Sequence, residues 1–438
     1  MAPTTVAKVV GLYLYPVKAC QPISLQKTKL DSAGFQLDRA FCIVDINGDR
    51  YVEKQALSQR LLPSLASIKV EFEDVKKKNV LVLSAPNMGK KLRVYTSEKK
   101  YEKNPQVLVE CAGRSTTSNG GWSLGVLPGW NCGDEATRWL SVYLNETEKS
   151  TGKRSKPLAT YVLVRACSRD AARRMSIYAG PNQMPFNGNV DLQKAGKASP
   201  FRMRDVPVSA NDRVFYSDFA PLNIASLNSL NLLRDEMKYE MSDDDVGGAT
   251  NHGSTQSATT NLPSKHPITC FRPNIVVLIG DKNTSNNALT NAFGEETWQY
   301  FQIGENAKFR YLKRCPRCTV PSRNPTTGDW LYKKNKRLPQ KTLKKMFPAK
   351  AIDKEWEEQW QGATFGVHIG WDSEGEDSTV IEVGDHVQCY TFHNLPGKNW
   401  GRIFSAFMLT LGVAFMLFLA ILKISHHTNT IETMNYEL

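Results

Sequence analysis

Apolar and polar residues alternate through much of the first 85 positions. Val9–Tyr15, Phe41–Asp45, Ile68–Phe72 and Val80–Leu83 each carry the period-two pattern of a half-buried strand. Turn signals such as Asn47-Gly48 separate them. This opening predicts a sheet or barrel. Residues 86–130 are rich in Gly, Ser, Asn and Lys and read as a long insertion. The period then changes. From Asp134, the positions Ala136, Trp139, Leu140, Tyr143 and Leu144 fall on one face of a helix with an acidic first turn. Tyr161–Arg165 is a further strand, and Ser226–Tyr239 a second helix with leucines at 227, 230 and 233. Residues 242–266 are acidic, then rich in Ser, Thr, Gly and Asn, and read as a flexible loop. Ile275–Ile279 is a fully apolar strand, and Val380–Val387 returns to the strand pattern. The expected class is α+β, strand-rich, with barrel-like sheets and few helices.

One apolar run differs in kind. Ile403–Ile424 has no charge before Lys423, and a helix of that length spans roughly 30 Å, the thickness of a hydrocarbon core. Lys398, Trp400 and Arg402 lie just upstream, where interface anchors belong. The N-terminus lacks the charged head and long apolar stretch of a signal peptide. The expectation is a tail anchor at 403–424, with the preceding part of the chain in the cytosol.

The 438 residues suffice for two or three domains, and the net charge of +13 favours an anionic partner or a broadly basic solvated surface. The nine cysteines are scattered, which suits a reducing compartment rather than a disulfide framework. There is no GxGxxG after a strand, no CxxCH haem site, and no zinc-finger or aromatic-basic RNP motif. A nicotinamide enzyme, a c-type cytochrome and a nucleic-acid binder are thereby disfavoured.

Cys315 and Cys318 lie within the basic stretch Lys313–Val320. Structural zinc normally takes four ligands, and no second pair exists. A redox disulfide normally opens a helix, yet Thr319-Val-Pro-Ser follows here. A single thiolate on a soft metal, its charge supported by Lys313, Arg314 and Arg317, is a third option, and two structural thiols a fourth. Lys18 closes the first strand, and Asp38-Arg39 opens another. Arg272 sits against the apolar strand 275–279, where an unpaired charge is costly and a bound anion would suit a guanidinium.

The segments YPVKAC, LDRAF, CFRPNIVV and KRCPRCTVPSRNPTTG, in this order, resemble the MOSC-domain proteins, and within them the amidoxime-reducing component group of molybdenum enzymes. Cys132–Ser141 resembles the family segment between its two domains, and the resemblance covers residues 6–392. It implies an N-terminal MOSC β-barrel domain at 6–150, a MOSC domain at 158–392, and a molybdenum cofactor whose pterin dithiolene carries a phosphate. Cys318 would be the metal ligand and catalytic thiolate, with Pro316 and Arg317 lining the cofactor. Lys18 and Ala19 match the family's Lys-Ser, with one hydroxyl donor lost at Ala19. Arg39 and Arg272 match two cofactor-binding arginines, and Asn274 accompanies the second. Asp218, Ala220 and Pro221 match a loop that closes over the pterin. His368 stands where mammalian members carry a tyrosine. The activity implied is reduction of N-hydroxylated compounds such as amidoximes and hydroxylamines, with electrons from a cytochrome b5-like donor and its NADH-dependent reductase. The implied location is the mitochondrial outer membrane or the endoplasmic reticulum. The alternative is a molybdenum cofactor sulfur-carrier or binding protein without that activity.

Overall fold

The computed structural model describes residues 4–31, 33–46, 54–110, 126–150, 158–167, 215–217, 220–239, 266–280, 292–298, 300–346, 363–371 and 379–390. The first part holds β1 (Thr4–Leu14), β2 (Ile23–Leu25), β3 (Lys27–Asp31), β4 (Gly34–Phe35), β5 (Phe41–Asp45), β6 (Lys54–Gln55), β7 (Lys69–Phe72), β8 (Val80–Ser84), β9 (Leu92–Tyr95), β10 (Gln106–Glu110), β11 (Val126–Asn131), α1 (Asp134–Ser150) and β12 (Tyr161–Ala166). The second part holds β13 (Leu222–Ser226), α2 (Leu227–Lys238), β14 (Ile275–Ile279), β15 (Tyr300–Ile303), β16 (Ala307–Pro316), α3 (Leu338–Met346), β17 (Thr364–Trp371), β18 (Val380–Glu382) and β19 (His386–Tyr390).

A seven-stranded barrel dominates, in the order β14-β13-β17-β16-β15-β19-β1, closed by the β1–β14 pairing. β1 lies antiparallel to β19 on one side, with Thr4 opposite Cys389, and to β14 on the other, with Leu12 opposite Ile275. β1 also carries β2. Its apolar positions Ala7, Val9, Leu12 and Leu14 are all buried. Each fully buried Val, Leu or Ile side chain stabilises the fold by roughly 1.5–3 kcal/mol, so an eleven-residue strand of this pattern is firmly held. Among the described residues of the first 150, β1 is the one strand that enters this closed barrel. Alternation identifies a strand without identifying its partner, and here the partners lie far along the chain.

The second sheet runs β5-β12-β11-β10-β6, and another is formed by β7-β8-β9. β12 pairs with β5 and β11. The stretch 86–130, expected as an insertion, contributes β9, β10 and β11. Its Lys- and Asn-rich turns mask short alternating runs in which Leu92, Val94, Val109 and Leu127 are buried. α1 follows expectation. Ala136, Trp139, Leu140, Tyr143 and Leu144 are buried, and Asp134 and Glu135 occupy the first turn.

The loop read at 242–266 lies outside the described residues except for His266, as does the apolar run 403–424. Among the described residues, no helix is long and apolar enough to cross a membrane.

Candidate functional site

Where β1 ends, the chain turns sharply through Tyr15–Cys20. Ala19 has φ 70°, while Leu37, Arg39 and Arg272 have φ of 74°, 47° and 52°. Non-glycine residues in this left-handed region cost roughly 1–3 kcal/mol each and collect where a site demands them. Backbone hydrogen bonds hold them there. Tyr15 N–H donates to the Asp38 carboxylate at 2.9 Å, and Arg39 N–H to Tyr15 O at 2.7 Å. Ala19 O accepts from Gln59 Nε2 at 2.6 Å. The Lys18 ammonium is buried and donates to Tyr216 O at 2.8 Å, and Tyr216 N–H donates to Arg39 O at 3.1 Å.

Two guanidinium groups share one aromatic ring. Arg39 lies 4.5 Å and Arg272 4.4 Å from the Tyr15 ring centre. Cation–π attraction of about 1–2 kcal/mol per cation at a desolvated site offsets part of their mutual repulsion. Arg39 is otherwise satisfied: it pairs with buried Asp38 and donates to Asn274 Oδ1 at 2.8 Å. Arg272 is not. Among the described residues its guanidinium has neither a hydrogen-bond acceptor nor a carboxylate partner. Burial acts first to lower its proton affinity, and the nearby Arg39 charge adds to that. Burial likewise pushes the neighbouring Cys20 thiol up to about 12, leaving it protonated.

Asn274 joins this group to the barrel. Its side-chain oxygen accepts from Arg39 and, at 3.2 Å, from Asn223 N–H, and its Nδ2 donates to Tyr13 O at 3.3 Å. Asn223, on β13, faces His368 on β17 in register. His368 is buried at 8% exposure. Two residues before it, Gly366 has φ 68°, and any Cβ there would meet Ile224 O at 2.7 Å.

Cys315 and Cys318 part ways at the end of β16. Cys315 is buried, whereas Cys318 is partly exposed and accepts from Val320 N–H at 3.5 Å. The expected cationic support by Arg314 and Arg317 takes another form. Arg314 pairs with Glu296 at 2.8 Å. Arg317 donates to Phe365 O at 2.8 and 2.5 Å, to Phe271 O at 2.7 Å and to Asn223 Oδ1 at 3.4 Å. Its backbone N–H bonds Ala363 O, and its carbonyl accepts from Gln340 Nε2 at 2.6 Å. Arg317 is thus a brace. It fixes the residue before Cys318 to β17 and to the turn that presents Arg272. Pro316 lies opposite Thr364 at the same strand end. Ala220 and Pro221 are buried just ahead of β13, and Asp218 lies outside the described residues.

The network therefore runs Lys18–Tyr216–Arg39–Asn274–Asn223–Arg317, adjoining Cys318. Sequence reasoning passed over Tyr15, Tyr216 and Asn223. Asn223 had a signal: it is a polar residue inside the apolar run Leu222–Ala225. Two of the passed-over groups end in orphaned polar atoms, since Tyr15 Oη and Asn223 Nδ2 are buried without a hydrogen-bond partner. Among the described residues, no three His, Cys, Asp or Glu side chains converge as a metal cage.

Two domain families match this chain: the MOSC N-terminal beta barrel domain over residues 6–147 and the MOSC domain over residues 211–388. Curated relatives named mitochondrial amidoxime reducing component 2 also align. The Bos taurus protein is 22% identical over 330 residues, covering 74% of this chain and 68% of its own. The Homo sapiens protein is 24% identical over 331 residues, and the Rattus norvegicus protein 24% over 329, with the same shares of each chain. The chain is a MOSC-domain protein, built from the family's N-terminal and MOSC domains and similar at low identity to the amidoxime reducing components.

Proposed function

We propose that this protein is a molybdenum-cofactor enzyme that reduces N-hydroxylated compounds with electrons from a partner protein. The observation that carries the reading is the Arg272 guanidinium, half-buried on a left-handed backbone and without an acceptor among the described residues, next to Phe271, whose carbonyl accepts from the Arg317 that precedes Cys318. The residues present fit a phosphate-bearing cofactor on two counts. Lys18, Arg39 and Arg272 bring three cations against the single carboxylate of Asp38, and Asn223 Nδ2 is an orphaned donor. A buried donor left unpaired costs about 1–3 kcal/mol, which a bound acceptor would recover.

In this reading Arg272 and Lys18 hold the anionic end, and Arg39 is kept in place by Asp38 and Asn274. Cys318 would supply the protein's thiolate ligand to the metal, and its sulfur accepts from Val320 N–H at 3.5 Å. Arg317 fixes the loop's position rather than touching substrate. The bound group would supply two-electron oxygen-atom transfer. Overall, the N–OH substrate gains two electrons and two protons, and leaves as N–H and water. The electrons come from a donor protein, proposed as a b-type cytochrome fed by an NADH-dependent reductase. The relatives' printed names support this substrate class and a mitochondrial site. The apolar run 403–424 supports anchoring on the outer membrane or the endoplasmic reticulum.

The test is metal and pterin analysis of the full-length protein in detergent, purified from a host that makes the cofactor, followed by benzamidoxime reduction with a chemical reductant. About one molybdenum per chain together with turnover supports the reading. Molybdenum without turnover returns the carrier or binding alternative, and zinc or no metal overturns both.

A further inference from the structure

We infer that the lysine-rich face running from Lys333 along α3 is the docking surface for an acidic electron-transfer protein. The inference rests on the oxidoreductase reading above and deepens it. Residues 330–346 carry seven Lys and Arg and no Asp or Glu. All seven, from Lys333 to Lys345, are exposed. α3 is two-faced. Leu338, Pro339, Thr342 and Leu343 are buried beneath it, and the cations cover its outside. A face with one sign of charge attracts an oppositely charged partner over a Debye length of about 8–10 Å and raises its association rate.

Two observations separate this surface from an ordinary solvated one. First, it is fastened to the candidate metal loop. Gln340 of α3 donates to Arg317 O at 2.6 Å, one residue before Cys318, and α3 packs against the turn Val320–Ser322 that follows. A partner seated on the cations is therefore brought beside the loop that would hold the redox-active metal. Second, the patch has an aromatic edge. Trp330 is half-buried, with the Arg323 guanidinium 3.9 Å and the Lys336 ammonium 6.0 Å from its ring centre. A tryptophan beside arginine is the composition of an interface anchor. An anionic membrane would also attract these cations. It would, however, press the Cys318 loop against headgroups and close the approach that substrate and donor must use.

The test compares wild type with the full-length variant K333E/K336E/R337E, and with K333Q/K336Q/R337Q as a milder control. None of these residues belongs to the proposed cofactor machinery. The probe is a soluble b-type cytochrome of net negative charge, titrated against each protein at low and high salt, with binding followed by calorimetry. The expectation is at least tenfold weaker binding for the charge-reversed variant at low salt, an intermediate loss for the neutral one, and a flattened salt dependence in both. Molybdenum content and turnover with a chemical reductant should not change. Equal affinity in all three proteins would overturn the proposal. Equal cytochrome affinity with lost binding to phosphatidylserine–phosphatidylcholine vesicles would assign the face to lipid instead. Absence of turnover in wild type would sink the oxidoreductase reading alone, because the titration measures docking without it.

Discussion

Arg272→Met separates a residue kept for a ligand from one kept for the fold. Methionine retains the length of the side chain and its buried stem, and it faces the same left-handed backbone at φ 52°. In the cofactor-free protein the substitution removes no hydrogen bond among the described residues. It gives up the contact with the Tyr15 ring, roughly 1–2 kcal/mol, and relieves the desolvation and Arg39 repulsion that oppose the Arg272 cation. These terms nearly cancel, so cofactor-free stability should change by less than about 1 kcal/mol. The loaded protein behaves differently. A charge-assisted hydrogen bond contributes about 1.5–3 kcal/mol, which corresponds to cofactor held roughly 10- to 150-fold less tightly. The assay has two parts: urea unfolding of cofactor-free protein, and molybdenum and pterin content per chain after prolonged gel filtration. Unchanged unfolding with depleted cofactor is expected. A loss of several kcal/mol in the cofactor-free protein would make Arg272 structural. Full retention of cofactor would remove it from the site altogether.

Three further outcomes are expected. Cys318→Ser should lose metal, while Cys315→Ser, at a buried position off the proposed site, should retain most of it; equal losses by metal analysis would revive a two-thiol centre. Burial raises the Glu295 carboxyl from its ordinary 4.5 to about 7. A raised carboxyl favours the protonated fold, so this stabilisation is complete below pH 4.5 and is lost as pH climbs through 7. The change is roughly 3 kcal/mol at 1.36 kcal/mol per pH unit, read by urea unfolding at pH 5 and 8. Glu295→Gln should reduce that slope and leave the part carried by Glu296, which burial raises to the same range, and an unaltered slope would assign it to other groups. At Gly129, a Cβ would stand 2.3 Å from Tyr216 Oη and 2.4 Å from Val164 Cγ1. Gly129→Ala should cost about 1–3 kcal/mol by crowding and loosen the Lys18–Tyr216 contact, so both thermal stability and cofactor retention should fall.

The parts of this molecule legible in its sequence are those governed by local periodicity. Strands such as β1, β5 and β14, and the buried face of α1, follow from apolar spacing alone. Three chemically conspicuous residues, Lys18, Arg39 and Arg272, stand out as charges beside apolar strands. Their meeting around Tyr15 does not, because it depends on which strands close the barrel. Arg317 illustrates the limit. A cation beside a cysteine suggests electrostatic activation, yet its fork is taken by carbonyls of Phe365 and Phe271, distant in sequence. β10 and β11 were hidden by a different cause. Both are short, and the polar residues between them outweigh their alternation in any reading by composition.

The way the barrel closes also orders events during synthesis. β1 emerges first, and β2 can pair with its end early, yet its two barrel partners are β14 and β19, the last of which ends at Tyr390. Until they are made, most of β1 keeps unpaired edges and an apolar face, a state that invites mispairing and chaperone capture. Pairings of such long range also delay folding, since loop closure precedes the contacts that repay it. Lys18 and Arg39 lie close after β1, while Arg272 and Cys318 lie in turns next to β14 and β16, made much later. The nascent chain thus holds all its early cations but no place to put an anion. On the proposed reading, insertion of the cofactor would be among the last acts of maturation, and a chain cut short before β19 would lack the closed barrel that the site is built on.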